Sequence, residues 1–217
     1  MADPVVAEYA RAAQRYDEKW AFYLEATTRE TLKRMPMAPA ARVLDVGCGT
    51  GELLRRLRAK YPGAVLAGLD PVAEMLTVAG EKLSGKEDLR IGYADSLPWT
   101  SASFDLVVSC NMFHYISHPI DALREMARVL RPGGTIVLTD WCDDYIACRI
   151  CNLYLRLTNR AFYKTYKQAE CLALLRQAGF EDVRLDRYKI SWLWGLMTAV
   201  VTTKKKRAAE AAQEEEP

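Results

Sequence analysis

The sequence lacks a dominant charge. Its 30 Lys and Arg stand against 28 Asp and Glu, a net charge of +2, so no strong long-range field gathers a polyanion and nucleic acid is not an expected partner. It also lacks a long apolar run. The longest, residues 192–201, falls far short of the ~20 residues of a membrane span, so stable membrane insertion is not expected and the run reads as a buried strand. Met1-Ala2-Asp3-Pro4 lacks the basic and apolar regions of a secretory signal. The six cysteines, Cys48, Cys110, Cys142, Cys148, Cys151 and Cys171, are therefore expected as reduced thiols in a cytoplasmic protein. No internal repeat is visible.

What is present is a chain of 217 residues, half of them hydrophobic, enough for one sizeable core. Tyr9, Tyr16, Trp20, Tyr23 and Leu24 recur at helical spacings before Pro36 and Pro39, which predicts an N-terminal helical cap over residues 1–41. Short apolar runs then alternate with helical segments, the pattern of a parallel sheet covered on both faces. Strands are predicted at 43–46, 65–70, 89–93, 106–110 and 135–139, and helices at 52–60, 72–83 and 120–130. Arg131-Pro132-Gly133-Gly134 closes the last helix. Residues 143–166 interrupt the alternation as a helical insertion, and a further helix runs over 168–178 to Gly179. Two strands follow, at 180–189 and 192–203, and so short a connection makes them antiparallel. The expected fold is α/β, a doubly wound Rossmann-like sheet forming a single domain over residues 1–203. Residues 204–217, with Lys204-Lys205-Lys206-Arg207 and then Glu214 to Glu216, are expected to be a flexible charged tail whose opposite charges largely cancel.

Val43-Leu44-Asp45-Val46-Gly47-Cys48-Gly49-Thr50-Gly51-Glu52 is a buried strand entering a Gly-x-Gly-x-Gly turn and a helix. The glycines let the backbone bend and let a ligand approach main-chain N–H groups. A dinucleotide site would carry its third glycine where Glu52 stands, and a glutamate there opposes a pyrophosphate. S-adenosylmethionine brings no phosphate and a cationic sulfonium, so Asp45 and Glu52 suit it. Asp70, in Gly68-Leu69-Asp70-Pro71, ends the second strand where a carboxylate can accept from two ribose hydroxyls. Asp95 is placed to accept from the adenine amine, with a backbone N–H of Ser96 or Leu97 at the ring and Met75 and Leu97 covering its faces.

In their order along the chain, these motifs resemble the class I S-adenosylmethionine-dependent methyltransferases, in the small-molecule branch that includes quinone-type enzymes. The resemblance runs from Arg42 to about Gly179. It is carried by Val43 to Glu52, Leu69-Asp70-Pro71, Ala94-Asp95, Phe104-Asp105-Leu106-Val107-Val108-Ser109 and Leu130-Arg131-Pro132-Gly133-Gly134. It implies a seven-stranded sheet with the last strand antiparallel. It also implies S-adenosyl-L-methionine held by Asp45, Gly47, Cys48, Gly49, Gly51, Asp70, Pro71, Met75, Asp95, Ser96, Leu97, Asn111 and Tyr16, and a small-molecule methyl acceptor at O, C, N or S.

Methyl transfer asks the protein mainly to align acceptor, methyl and sulfur. Asn111, Phe113, His114 and Tyr115 after the fourth strand fall at the ligand crevice of such a sheet. His114 is the candidate general base, since histidine changes charge near neutral pH, and Asn111 and Tyr115 complete the candidate catalytic set. His118, before Pro119, reads as structural. The resemblance places the N-terminal aromatics and residues 143–166 as a lid, with Tyr9, Tyr16 and Trp20 over the cofactor and Tyr154, Arg156, Arg160, Tyr163 and Tyr166 at an acceptor pocket. Ser109-Cys110-Asn111-Met112 is not the Asn/Asp-Pro-Pro-aromatic turn of enzymes that methylate nucleic-acid bases. Two other readings stay open: thiolates at Cys142, Cys148 and Cys151 capturing a thiophilic substrate such as arsenite, and a non-catalytic cofactor-binding partner subunit. No bound metal is expected, and both monomer and homodimer are allowed.

Overall fold

A computed structural model describes residues 3–203; the tail expectation lies outside them. In chain order the elements are α1 (Pro4–Ala12), α2 (Tyr16–Arg34), β1 (Arg42–Val46), α3 (Glu52–Lys60), β2 (Val65–Asp70), α4 (Ala73–Lys82), β3 (Asp88–Ile91), β4 (Phe104–Cys110), α5 (Pro119–Val129), β5 (Leu130–Trp141), α6 (Ile146–Thr158), α7 (Gln168–Gln177), β6 (Val183–Lys189) and β7 (Gly195–Thr202). The strands form one seven-stranded sheet in the order β3-β2-β1-β4-β5-β7-β6. β7 runs antiparallel to both β5 and β6, while β1 to β5 pair in parallel. The doubly wound fold and its single reversed strand are as the sequence predicts.

The central strands read as continuous apolar runs because both faces are covered. Along β5, Ile136 and Leu138 enter one core with Val107, Leu123, Met126 and Leu175. Val137 points the other way, into a second core with Val43, Leu54, Leu57 and Leu106. A third, smaller core joins Ala13 to Val72, Met75 and Val78, flanked by Val6, Tyr9 and Tyr16; it seats the N-terminal cap on α4.

Several boundaries differ from expectation, among them the end of β3, which stops at Ile91. Arg131-Pro132-Gly133-Gly134 does not leave the sheet: β5 begins at Leu130, which pairs with Phe104 across a register shift. The proline and glycines sit in that bulge, where a Cβ on Gly134 would meet the Asp105 carbonyl at 3.0 Å. The inserted helix stops at Thr158, because the chain beyond it is tied across the molecule. The N–H groups of Tyr163 and Lys164 donate to the His114 carbonyl at 3.1 and 3.0 Å, and Tyr166 bridges Cys142. The last two strands start at Val183 and Gly195, leaving residues 190–194 as the tip between them.

Strand order reverses between β1 and β4. Such a sheet splays its loops apart there and opens a crevice beyond the carboxyl ends of the strands.

Candidate active site

The crevice holds a cavity of about 380 Å3 whose floor is the β1–α3 turn. Gly47, Gly49 and Gly51 all adopt left-handed backbone, with φ of 77°, 52° and 76°, a conformation that costs any residue with a Cβ about 1–2 kcal/mol. A Cβ on Gly47 would also lie 2.3 Å from Met112 Cγ, whereas one on Gly49 would meet nothing within 4 Å and would project into free space. The turn is fixed from behind: the N–H groups of Gly47 and Cys48 donate to the Leu69 carbonyl at 2.7 and 2.9 Å. Asp70 Oδ2 accepts from the Gly49 N–H at 2.8 Å, and its Oδ1 accepts from the Val72 N–H at 3.0 Å.

Two carboxyl groups face this floor without a cation. Asp45 is 3% exposed, and its carboxyl makes no hydrogen bond or ion pair among the described residues. Burial, reinforced by the neighbouring Asp70 carboxylate, pushes its pKa up to about 8. Burial also raises Asp70 to about 6, against the two N–H groups that favour its charged form. A buried carboxyl without a partner is costly once ionised, so the floor is complementary to a positive charge. It opposes a pyrophosphate. Glu52, at the start of α3, also lines the cavity, but its carboxylate is paired with Arg55 and Arg56 at 2.9 and 2.6 Å.

Asp45, Gly47, Cys48, Gly49, Asp70, Pro71, Met75, Asp95, Asn111, Tyr115 and Tyr16 all line the cavity. Gly51 does not line it; it starts α3 as its N-cap. Ser96 and Leu97 are also absent from the wall, and this corrects the expected adenine contact. The Leu97 N–H donates to Glu125 at 2.9 Å, the Ser96 N–H donates to the Tyr93 carbonyl at 3.2 Å, and the Leu97 side chain is buried in the core.

His114 requires the other correction. Its Nδ1 lies 2.6 Å from Asp140 Oδ1, and its backbone N–H donates to Asp140 Oδ2 at 2.9 Å. The ring stacks on Trp141 at 4.7 Å, and the imidazole is not part of the cavity wall. The arrangement is that of a latch between the β4 loop and the end of β5. Asp140 was missed because an acid after a Thr at a strand end carries no motif.

Asn111 has φ of 60°, held by the Tyr23 hydroxyl donating to its Oδ1 at 2.7 Å and by its own Nδ2 donating to Thr27 at 2.8 Å. Tyr115 hydrogen-bonds Tyr9 through their hydroxyls, and burial raises both phenols so that they stay protonated. The opposite wall is Arg160, Ala161, Phe162 and Tyr163. Trp20, Tyr154, Arg156 and Tyr166, also expected at the lid or pocket, do not line the cavity. The thiols of Cys142, Cys148 and Cys151 are elsewhere too. Cys148 donates to the Gly195 carbonyl at 3.3 Å and Cys142 to Asp144 at 3.4 Å. Burial pushes Cys142 up to about 12 and raises Cys148 and Cys151, which disfavours the thiolates that metalloid capture needs.

Fold and site together define a class of doubly wound enzymes that carry a glycine-turn crevice beyond the carboxyl ends of the strands. Residues 44–138 match the methyltransferase domain family, so this part of the chain is a class I methyltransferase domain with S-adenosylmethionine as its cofactor. It is 30% identical over 166 residues to a malonyl-[acyl-carrier protein] O-methyltransferase of Marinomonas sp., covering 76% of this chain and 61% of that protein. It is 29% identical over 119 residues to the ubiquinone/menaquinone biosynthesis C-methyltransferase UbiE of Geotalea daltonii, covering 52% of this chain and 51% of the relative. The chain thus spans only about half to three fifths of these relatives' lengths. Its fold is similar to a chain of the Haloferax volcanii complex between the Trm112 methyltransferase activator and a methyltransferase, with TM-score 0.79 and 24% identity over 91% of this chain and 98% of that one. Among the described residues no helix is long and apolar enough to cross a membrane.

Proposed function

We propose that the protein transfers the methyl group of S-adenosylmethionine to a small, partly apolar acceptor. The observation that carries this reading is Asp45, a buried carboxyl with no partner of its own, beside Asp70 and a turn with glycine at every second position. The sulfonium and ammonium of the cofactor would supply the missing positive charge, Asp70 would take the ribose hydroxyls and Asp95 the adenine amine. When bound, the cofactor supplies an activated methyl group. The chain's own residues orient the acceptor and exclude water.

The acceptor half of the cavity is aromatic. Tyr9, Tyr115, Phe162 and Tyr163 enclose it, with Arg160 the basic side chain on the wall. Tyr9 and Tyr115 stay protonated and share one hydrogen bond, so the hydroxyl proton not used between them would be donated to an acceptor oxygen, and Asn111 would shape the wall beside them. His114 belongs in this scheme as a support for Tyr115. The relatives named as O- and C-methyltransferases bracket the chemistry, and residues 1–41 and 143–166 would act as cap and lid of one catalytic domain.

Calorimetry with S-adenosylmethionine, S-adenosylhomocysteine and NAD, followed by isotope transfer from labelled cofactor into metabolite extracts, tests the reading. Binding of the first two with label entering a small metabolite is the expected result. NAD binding without S-adenosylmethionine binding would overturn it, and tight cofactor binding with no transfer would assign the chain the role of a non-catalytic subunit.

A further inference from the structure

α6 is built inside out. Its two fully buried positions are small or polar, with Leu155 half-buried beside them: Cys148 is fully buried, and the buried Asn152 donates to Asp143 and accepts the Thr165 N–H, both at 3.3 Å. Its solvent side is apolar. Ile146, Ile150, Leu153, Tyr154 and Leu157 are 63–80% exposed, and at 100° per residue they fall on one stripe about 16 Å long. Single exposed hydrophobes are ordinary, but a contiguous patch this size marks a surface that something covers.

The charges say what. Residues 145–169 contain no Asp or Glu and five cations, Arg149, Arg156, Arg160, Lys164 and Lys167. Arg149 and Arg156 flank the apolar stripe and are exposed, without an ion-pair partner among the described residues. Beside the first turn of α6 stands the β6–β7 tip, joined to it by the Cys148 to Gly195 hydrogen bond and carrying Trp192, 82% exposed. Lys189 at the base of this tip lies over the Tyr145 ring. An apolar helix face edged by arginines, with a tryptophan at its margin, matches the chemistry of a bilayer interface. With 13 residues, α6 can lie in that interface but not cross it.

We propose that α6 and the β6–β7 tip form a docking surface for an anionic lipid bilayer. The helix lies in the headgroup region with its apolar stripe toward the acyl chains, and its arginines pair with lipid phosphates. α6 leads directly into residues 160–163 of the cavity wall, so docking brings the cavity mouth to the lipid surface. The docking is independent of the proposed methyl transfer and is read without it.

The test is co-sedimentation of the full chain with vesicles of phosphatidylcholine containing phosphatidylglycerol, against pure phosphatidylcholine, at low and high salt. Sedimentation with the anionic vesicles, weakened by salt, is expected. Leu157→Asp and Ile150→Asp should each reduce it by about tenfold or more, the loss that follows from withdrawing one buried aliphatic side chain. Both variants alter exposed positions and should keep the parent's thermal transition; if one does not, the other carries the test. Absence of sedimentation with anionic vesicles, or equal sedimentation of the folded variants and the parent, overturns the proposal. So does a dimer in sedimentation velocity that Leu157→Asp dissociates while vesicles are ignored, which would give the face to a second copy of the chain.

Discussion

Asp45 concentrates the electrostatics of the site in one side chain. With its pKa raised by burial to about 8, it is mostly protonated in the free protein at neutral pH, and a cationic ligand must displace that proton. Cofactor affinity should therefore rise as pH climbs from 6 to 8 and level off above. Calorimetry in two buffers of different ionisation enthalpy should register proton release on binding at pH 7, and Asp45→Asn should abolish both effects. The sign for stability is the opposite. Asp45 and Asp70, at about 8 and about 6, both sit above the ~4 of an unfolded aspartate, so their contribution is complete below pH ~4 and is lost as pH rises through 6 and then 8. The ligand-free protein should show a falling urea midpoint across that window; a flat profile would mean the two acids are solvated after all. Gly47 belongs to the same scale. Gly47→Ala combines left-handed strain with a Cβ driven into Met112, and a loss of about 2–4 kcal/mol in chemical denaturation is expected.

At the scale of elements, the latch between the β4 loop and β5 decides how the acceptor wall is held. Asp140 accepts both the backbone N–H and the ring of His114, and the His114 carbonyl in turn receives the lid at Tyr163 and Lys164. Asp140→Ala leaves two buried donors without acceptors, an expected loss of about 3 kcal/mol. At 2–4 °C per kcal/mol for a chain of this size, the melting temperature should drop by roughly 6–12 °C. His114→Asn should lower the melting temperature and turnover while leaving the shape of the pH–rate profile unchanged; a profile that loses an ionisation would return the histidine to the role of base. The elements that were legible in the sequence are those whose signal is local and repeated. β1, β2, β4 and the interior of β5 read as apolar runs because both faces are buried, and Asp45, the glycines and Asp70 read as a motif because turn chemistry confines them to fixed spacings. What was not legible depends on distant partners. Leu130 to Gly134 looks like a terminator until Phe104 pairs with it. Residues 159–166 look helical until the His114 carbonyl captures Tyr163 and Lys164, and Leu97 looks available until Glu125 takes its N–H.

Across the whole molecule, the cavity is assembled from segments that are far apart in sequence, and they differ in how firmly they are held. The strands below it are buried on both faces, whereas α1 contains no buried residue at all. Its hold on the rest comes through Tyr9 and Val6 against Met75, Val78 and Tyr16 and the hydroxyl pair with Tyr115. The start of α2 is pinned by Asp17, which accepts from Thr50 at 2.5 Å and pairs with Lys82, but the helix is broken at Trp20, where φ is −113° and ψ is 17°. Local opening follows local burial, so the cap should open far more easily than the sheet and should be the route by which ligand enters. Because Tyr9 and Tyr16 line the cavity, a bound cofactor would add apolar contacts to the few that α1 makes. Hydrogen exchange should then show fast amides over residues 4–20 in the free protein, strongly slowed by S-adenosylhomocysteine, with β1, β4 and β5 slow in both states. At ligand one hundred times above its Kd the same linkage adds about 2.7 kcal/mol, or roughly 5–11 °C in melting temperature. Cap amides already as slow as the strands without ligand would show that the entrance lies on the lid side instead.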